Sequence, residues 1–232
     1  MPKITAMMIV RNEAHRYLER CLTSLLDFVD EIIILDDAST DTTPDICLSC
    51  PIVKLYRRKS SLFLTNEAQL RQELWFYTTD NKPEWILAID ADEFLETKKL
   101  HEFPYLIQQK YFQAISFRLF DCWGSEKYYR VDGIWSPWLR GFSIYAVKYQ
   151  PQLTSTWPKL NFHCGRLPLS YRQLPHLESE LRIKHLGWAN PIDIQTKYER
   201  AIDRDPTFKY MSREHYESIL YPPEKIALEM WM

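Results

Sequence analysis

The chain has 232 residues, enough for one sizeable core, with 46% hydrophobic and an unusually high 14% aromatic content. Its 29 basic and 31 acidic side chains leave a formal net charge of −2, so no basic field advertises nucleic acid or an anionic membrane surface. The N-terminal "MPKITAMMIVRNEA" carries one short apolar run cut by Arg11, unlike a signal peptide or the roughly 20 apolar residues of a membrane span. The five cysteines, an odd number, argue for reduced thiols, and the chain reads as a cytoplasmic protein with no integral membrane segment. Cys47 and Cys50 form a lone CxxC near a helix end, with no second Cys/His pair for zinc, and packing is the expected role.

"ITAMMIV" (4–10) is uniformly apolar, as a strand buried on both faces should be. From Ala14 the period changes: Leu18, Cys21, Leu22, Leu25 and Leu26 recur at three and four, which predicts an amphipathic helix. "EIIILDD" (31–37) is a second buried strand, and "STDTTPD" after it supplies caps and a proline for a first helical turn. A strand over 52–57, a helix over 65–79 and a strand over 85–89 follow. "TKKLHEFPYLIQQ" is then predicted helical, and 112–120 a strand. This alternation implies an α/β fold with a parallel, doubly wound sheet, whose ligands bind beyond the carboxyl ends of the strands. The loops at those ends are "RNE" (11–13), "DDASTD" (36–41) and "DADE" (90–93). Beyond residue 120 the aromatic-rich texture predicts antiparallel strands and long loops, with helices from about 191. No linker interrupts the chain, so 1–232 is expected to form one domain with a ligand half (1–120) and an elaborated second half (121–232).

"WILAIDADEFLE" (85–96) runs from apolar strand into clustered carboxylates. With 14 aspartates, about one Asp-x-Asp is expected by chance, and Asp203-Arg204-Asp205 is a second, read as solvated helix terminus. Asp90 and Asp92 differ by ending a buried strand with both side chains on one side. Two such carboxylates suit a divalent cation, whose charge relieves their repulsion. Glu93 is expected to point away and stays outside that shell.

The stretches "MMIVRNEA", "LERCLTSLLDFVDEIIILDDASTDTT", "NEAQLRQELW" and "WILAIDADE", in this order and spacing, resemble glycosyltransferase family 2. The resemblance is strong over about 3–95 and thinner afterwards. It implies a GT-A fold: a Rossmann-like, mostly parallel central sheet flanked by helices, with a C-terminal half for the acceptor. It further implies a nucleotide-diphospho-sugar donor, taken as UDP-linked, with Mn²⁺ or Mg²⁺ and transfer with inversion to a glycan or other hydroxyl acceptor. By matching positions, Asp37 would accept the uracil N3–H, Ile9 and Arg11 would line the base and ribose pocket, and Arg71 would face base or diphosphate. Asp90 would approach ribose and metal, and Asp92 the metal. "LRIKHLGWANPIDIQTKYERAIDRD" resembles a late segment of related transferases, which would bring His185 to the metal and Lys197 and Arg200 to the diphosphate.

Inverting transfer needs a base for the acceptor hydroxyl. His163 in "NFHCGRLP" is the first candidate, with Glu178, Asp132 and Asp121 as rivals, and Trp123, Tyr128, Tyr129, Trp135, Trp138 and Trp157 offer rings for a sugar acceptor. Glu13 reads as first-turn helix charge. Two enzyme classes fit poorly: a haloacid-dehalogenase-type phosphohydrolase would have Thr or Val after its second Asp, and a sugar nucleotidyltransferase would have a glycine-rich basic loop after its first strand. The other alternative is a degenerate transferase that binds nucleotide or glycan without turnover.

Overall fold

The structure, a computed structural model, describes residues 2–63, 65–160 and 164–232. Its first half alternates β1 (Ile4–Val10), α1 (Leu18–Leu25), β2 (Glu31–Asp36), α2 (Thr43–Ser49), β3 (Val53–Arg57), α3 (Glu67–Asp80) and β4 (Trp85–Ala88). The four strands are all parallel, in the order β3-β2-β1-β4. Such a sheet must be covered on both faces. Met8, Val10, Ile32 and Ile34 point to one side, where α1 brings Leu18, Cys21, Leu22 and Leu25. Met7, Ile33 and Leu35 point to the other, against Leu70, Leu74 and Trp75 of α3. The strand period of two thus supplies two cores, and each large apolar side chain withdrawn from water contributes about 1.5–3 kcal/mol.

Past the acidic tip come β5 (Glu93–Leu95), a 3₁₀ turn (Thr97–Glu102), α4 (Phe103–Gln108), β6 (Ala114–Trp123), β7 (Tyr128–Arg130), α5 (Pro137–Arg140), β8 (Ser143–Lys148), β9 (His176–Trp188), α6 (Pro191–Arg204), α7 (Arg213–Ile219) and β10 (Leu228–Met230). Two expectations change here. β6 does not lie beside β4; β8 inserts between them, antiparallel to both. The stretch around His185 is part of β9, a 13-residue strand that runs on to Trp188, parallel to β6 and antiparallel to β5. The result is a mixed, GT-A-like sheet flanked by helices. The ladders place His185 opposite Glu93 on one side and Asp121 on the other, so register alone delivers a histidine to the acidic tip.

The second half has its own anchor. Arg130 is fully buried with its guanidinium 4.5 Å from the Trp123 ring centroid and 5.2 Å from that of Trp135. It forks onto Asp132 through two 2.8 Å bonds and donates to the Ser218 carbonyl at 2.7 Å. Asp132 is thereby committed to structure, which removes it as a base. Replacing Arg130 with Met removes one partner of a buried pair, and urea unfolding is expected to register a loss of about 3 kcal/mol. A loss below about 1 kcal/mol would mean that ring packing alone holds this corner.

Candidate functional site

The loops after β1 and β2 are stitched together before any ligand arrives. Asn12, with φ of 55°, donates its N–H to Ser39 Oγ at 3.0 Å and accepts from the Thr40 N–H at 2.9 Å. The Glu13 N–H donates to Thr43 Oγ1 at 2.7 Å, and the Ala14 N–H to Asp41 at 3.2 Å. These bonds explain why "RNEA" and "ASTDT" occur together: each satisfies the other's backbone, turning Arg11, Glu13 and Arg16 toward a common space.

That space is a cavity of about 530 Å³ at the carboxyl ends of β1 and β4. Ile9, Arg11, Arg71, Asp90, Asp92, His185, Lys197 and Arg200, all singled out from the sequence, line it together. Asp193, Thr196, Lys197, Arg200 and Arg204 come from one face of α6, at the three- and four-residue spacing of a helix side. The opposite face of α6 packs Ile194, Tyr198, Ala201 and Ile202 against the Trp123, Trp135 and Tyr216 cluster. α6 begins on Asn190, whose side chain accepts from the Ile192 N–H at 3.1 Å. Arg16 ties its first turn to the β1 loop, 3.0 Å from Asp193 and 3.2 Å from Glu13.

Each carboxylate at the acidic tip has a cation from elsewhere. Asp90 accepts from Arg166 at 2.8 and 3.2 Å, and Arg71 lies 3.9 Å away while pairing with Glu67 at 3.1 Å. Burial opposes ionisation of Asp90, yet the two guanidiniums hold its carboxyl below the ordinary range. Asp92 faces His185 Nε2 at 3.5 Å and Lys197 Nζ at 3.9 Å, and these cations likewise outweigh burial and keep it ionised. His185 donates from Nδ1 to Asp121 at 2.5 Å. Burial lowers the pKa of its ring, but Asp92 and Asp121 prevail and push it up to about 10. Without a bound cation the imidazole is therefore protonated, contrary to the neutral ring expected of a metal ligand. Gly187 permits this convergence, because a Cβ there would run into His185 Nε2 and Lys197 Nζ.

Glu93 turns away from Asp92, as its sequence position suggested. It is buried, accepts from the Asp90 N–H at 3.0 Å and the Tyr145 hydroxyl at 3.2 Å, and pairs with Arg166. Burial pushes its carboxyl up to about 7, against the pull of Arg166. Glu13 is also raised to about 7 by burial, partly offset by Arg16, and it belongs to the cavity wall, not to a helix turn.

Other expectations shift. Asp37 is wholly buried and does not line the cavity. Its carboxylate accepts from Ser61 Oγ at 2.5 Å, the Leu62 N–H at 2.8 Å and the Phe63 N–H at 3.0 Å. In this arrangement it shapes the loop that carries Phe63 to the cavity. Asp205, read as solvated, is buried and accepts from the Lys209, Tyr210 and Met211 N–H groups and the Tyr216 hydroxyl. Among the rival bases, Asp121 is held by His185 and by Arg140 at 2.7 Å, and Glu178 is exposed on β9 outside the cavity. His163 lies outside the described residues. Trp123 and Trp135 are buried in the second-half core, Trp157 in the α3-side core and Tyr129 on β7, which leaves Tyr128 and Trp138 as the exposed rings of that group. Arg166 and Arg204 were not anticipated, although Arg204 follows Lys197 and Arg200 at helical spacing on α6 and Arg166 lies three residues after His163.

Six permanent cations (Arg11, Arg16, Arg71, Lys197, Arg200, Arg204) line the cavity against four carboxylates (Glu13, Asp90, Asp92, Asp193). In a chain whose net charge is −2, this local excess favours an anionic ligand. Among the described residues no three His, Cys, Asp or Glu side chains form a complete metal cluster, so a cation here needs oxygens from its ligand. No helix among them is long and apolar enough to cross a membrane.

The sequence profile "Glycosyl transferase family 2" matches residues 5–165, a span that contains the stitched loops and the acidic tip. The chain is 28% identical over 211 residues to the SPbeta prophage-derived glycosyltransferase SunS of Bacillus subtilis, covering 87% of this chain and 44% of SunS. Among solved structures, S. aureus TarS 1-349 in complex with UDP is similar at a TM-score of 0.57 and 16% identity, over 94% of this chain and 69% of that one. The mannosyltransferase PcManGT from Pyrobaculum calidifontis, in complex with GDP-Man and Mn²⁺, is similar at 0.53 and 17%, again over 94% and 69%. These likenesses bear on the fold. The chain spans less than half the length of the curated relatives it matches. The profile covers most of the chain and includes the residues that build the cavity floor, and on that match the chain belongs to glycosyl transferase family 2.

Proposed function

We propose that the chain transfers a sugar from a nucleoside-diphosphate sugar, UDP-linked, to a hydroxyl group of a glycan or other acceptor, with inversion at the anomeric carbon. The observation that carries this reading is the layout of the cavity. The ionised Asp90 and Asp92 stand at its floor, and Lys197 and Arg200 project across it from α6. A diphosphate is the ligand that needs both: cations for its own charge, and carboxylates to share a metal ion with it. Family membership and the nucleotide complexes of TarS and PcManGT support the donor class.

A divalent Mn²⁺ or Mg²⁺ fits the donor set. His185 is backed by the buried Asp121 at Nδ1, the support that metal-binding imidazoles commonly have, and its Nε2 is turned to Asp92. Asp92 and His185, with Asp90 alongside, would hold the ion once the imidazolium gives up its proton. When bound, the cation offsets the charge that builds on the departing diphosphate. Lys197, Arg200 and Arg71 act on the same charge as fixed cations in a site sheltered from water, the kind of preorganised stabilisation that lowers barriers most. The acceptor oxygen attacks the anomeric carbon, the bond from that carbon to the phosphate oxygen breaks, and the nucleoside diphosphate leaves as the hydroxyl proton passes to a base.

Asp92→Asn is expected to abolish the Mn²⁺ dependence of UDP binding in calorimetry, with the circular dichroism spectrum unchanged. Undiminished metal dependence would assign the acidic tip another purpose. Slow hydrolysis of UDP-sugars without acceptor, present in the wild type and absent from the variant, separates a working enzyme from a degenerate binder.

For the base, His163→Ala is expected to reduce transfer by roughly 10²–10⁴-fold while UDP affinity holds. Activity within about tenfold of wild type would pass the role to Glu13, the cavity carboxylate whose pKa already stands near 7.

A further inference from the structure

Arg204 stands at the far end of the cavity from the acidic tip. It follows Lys197 by seven residues on α6, and thus by about 10 Å along the helix axis. Since Lys197 Nζ is 3.9 Å from Asp92, α6 works as a ruler: a diphosphate seated at Lys197 leaves its nucleoside to extend toward Arg204. There the guanidinium lies over Phe63, 4.7 Å from the ring centroid, and Phe63 is fixed by the bond from its N–H to Asp37. Ile9 and Arg11 line the same cavity, and Arg11 is near enough to act on Arg204.

What sets Arg204 apart is that its Nε and Nη2 are shielded from solvent and have no hydrogen-bond partner among the described residues. Shielded guanidinium donors without a partner are costly, and Glu67, which acts on Arg204 through space without pairing with it, offsets that cost only in part. The Phe63 ring beneath the guanidinium offers those two donors no acceptor. Arg200 and Arg11 only add repulsion. Such an arrangement is stable only on balance and becomes favourable when a ligand brings an acceptor.

We infer that Arg204 reads the nucleobase: its idle N–H donors bind a carbonyl oxygen of the base, with Phe63 holding the guanidinium plane. This rests on the donor class proposed above and adds a residue that selects among nucleotides. It also gives Asp37 an indirect part, as the group that positions Phe63.

The test uses Arg204→Met, which keeps an unbranched side chain against Phe63 and removes every donor, and Arg204→Lys, which keeps charge without the fork. Calorimetry with UDP, ADP and inorganic pyrophosphate, in Mn²⁺, separates the contributions, because adenine has no carbonyl and pyrophosphate no base. In both variants UDP affinity is expected to fall roughly 10–100-fold, the worth of a charge-assisted hydrogen bond, with ADP and pyrophosphate unaffected. The ligand-free Arg204→Met protein is expected to melt at the same temperature as wild type or higher, since it sheds an unsatisfied buried charge. Equal losses for UDP, ADP and pyrophosphate would make Arg204 a phosphate ligand and overturn the inference. Unchanged UDP affinity with a lowered melting temperature would make it a structural partner of Phe63 and overturn it as well. If the wild type binds none of the three, the donor-class reading fails first; if it binds UDP and only the Arg204 effects are missing, that reading survives.

Discussion

Carboxylates cannot be gathered at the end of a buried strand unless something cationic meets them, and this requirement governs how the two halves of the chain fit. Asp90, Asp92 and Glu93 leave β4 within four positions. Their counter-charges come from remote sequence: Arg71 from α3, Arg166 from the loop before β9, His185 from β9 and Lys197 from α6. Apart from Arg71, the counter-charges to the first half's carboxylates arrive only when the second half has folded onto it. The ladder between β5 and β9 supplies the geometry, because pairing Glu93 with His185 fixes where the imidazole falls.

The neutralisation is divided unevenly, and the division sorts the three carboxylates by role. Glu93 is sealed by Tyr145, Arg166 and a backbone N–H, so it braces the turn from below. Asp90 is gripped on one oxygen by Arg166, with Arg71 near the other. Asp92 has only longer contacts, at 3.5 and 3.9 Å, to groups that themselves line the cavity. The carboxylate held least tightly is therefore the one most available to a ligand-bound cation, and its present partners are the groups such a cation would displace or join.

The sequence made part of this legible for a definite reason. Uniformly apolar runs such as 4–10 and 31–36 must be buried on both faces, which forces a parallel sheet, and a parallel sheet puts its ligand at the strand ends where "RNE" and "DADE" occur. What local pattern does not carry is which distant group will neutralise a given charge. Arg166 lies 76 residues from Asp90, in a stretch with no helical or strand period to mark it. Asp205 looked solvated because its three-residue neighbourhood is charged, yet it closes the turn after α6 by accepting three backbone N–H groups. Asp37 was assigned to a base by motif position, whereas its oxygens are taken by residues 61–63, a loop whose path no motif announces. The insertion of β8 between β4 and β6 was hidden for the same cause: strand order is a long-range property.

The helix that closes the cavity expresses the same physics in reverse. α6 buries no residue fully, and it is attached on one side by aliphatic and aromatic contacts to the Trp123–Trp135 cluster, on the other by a wall of cations. Burial lowers the pKa of Lys197, Arg200 and Arg204 alike, the mark of cations held away from water with too little opposing charge. Stability is withheld from the ligand-free protein at this wall, and a bound anion returns it. The acidic floor is compensated within the protein, whereas the basic wall, apart from Lys197 beside Asp92, is compensated only in part. An asymmetry of that kind favours a ligand that brings negative charge to the wall.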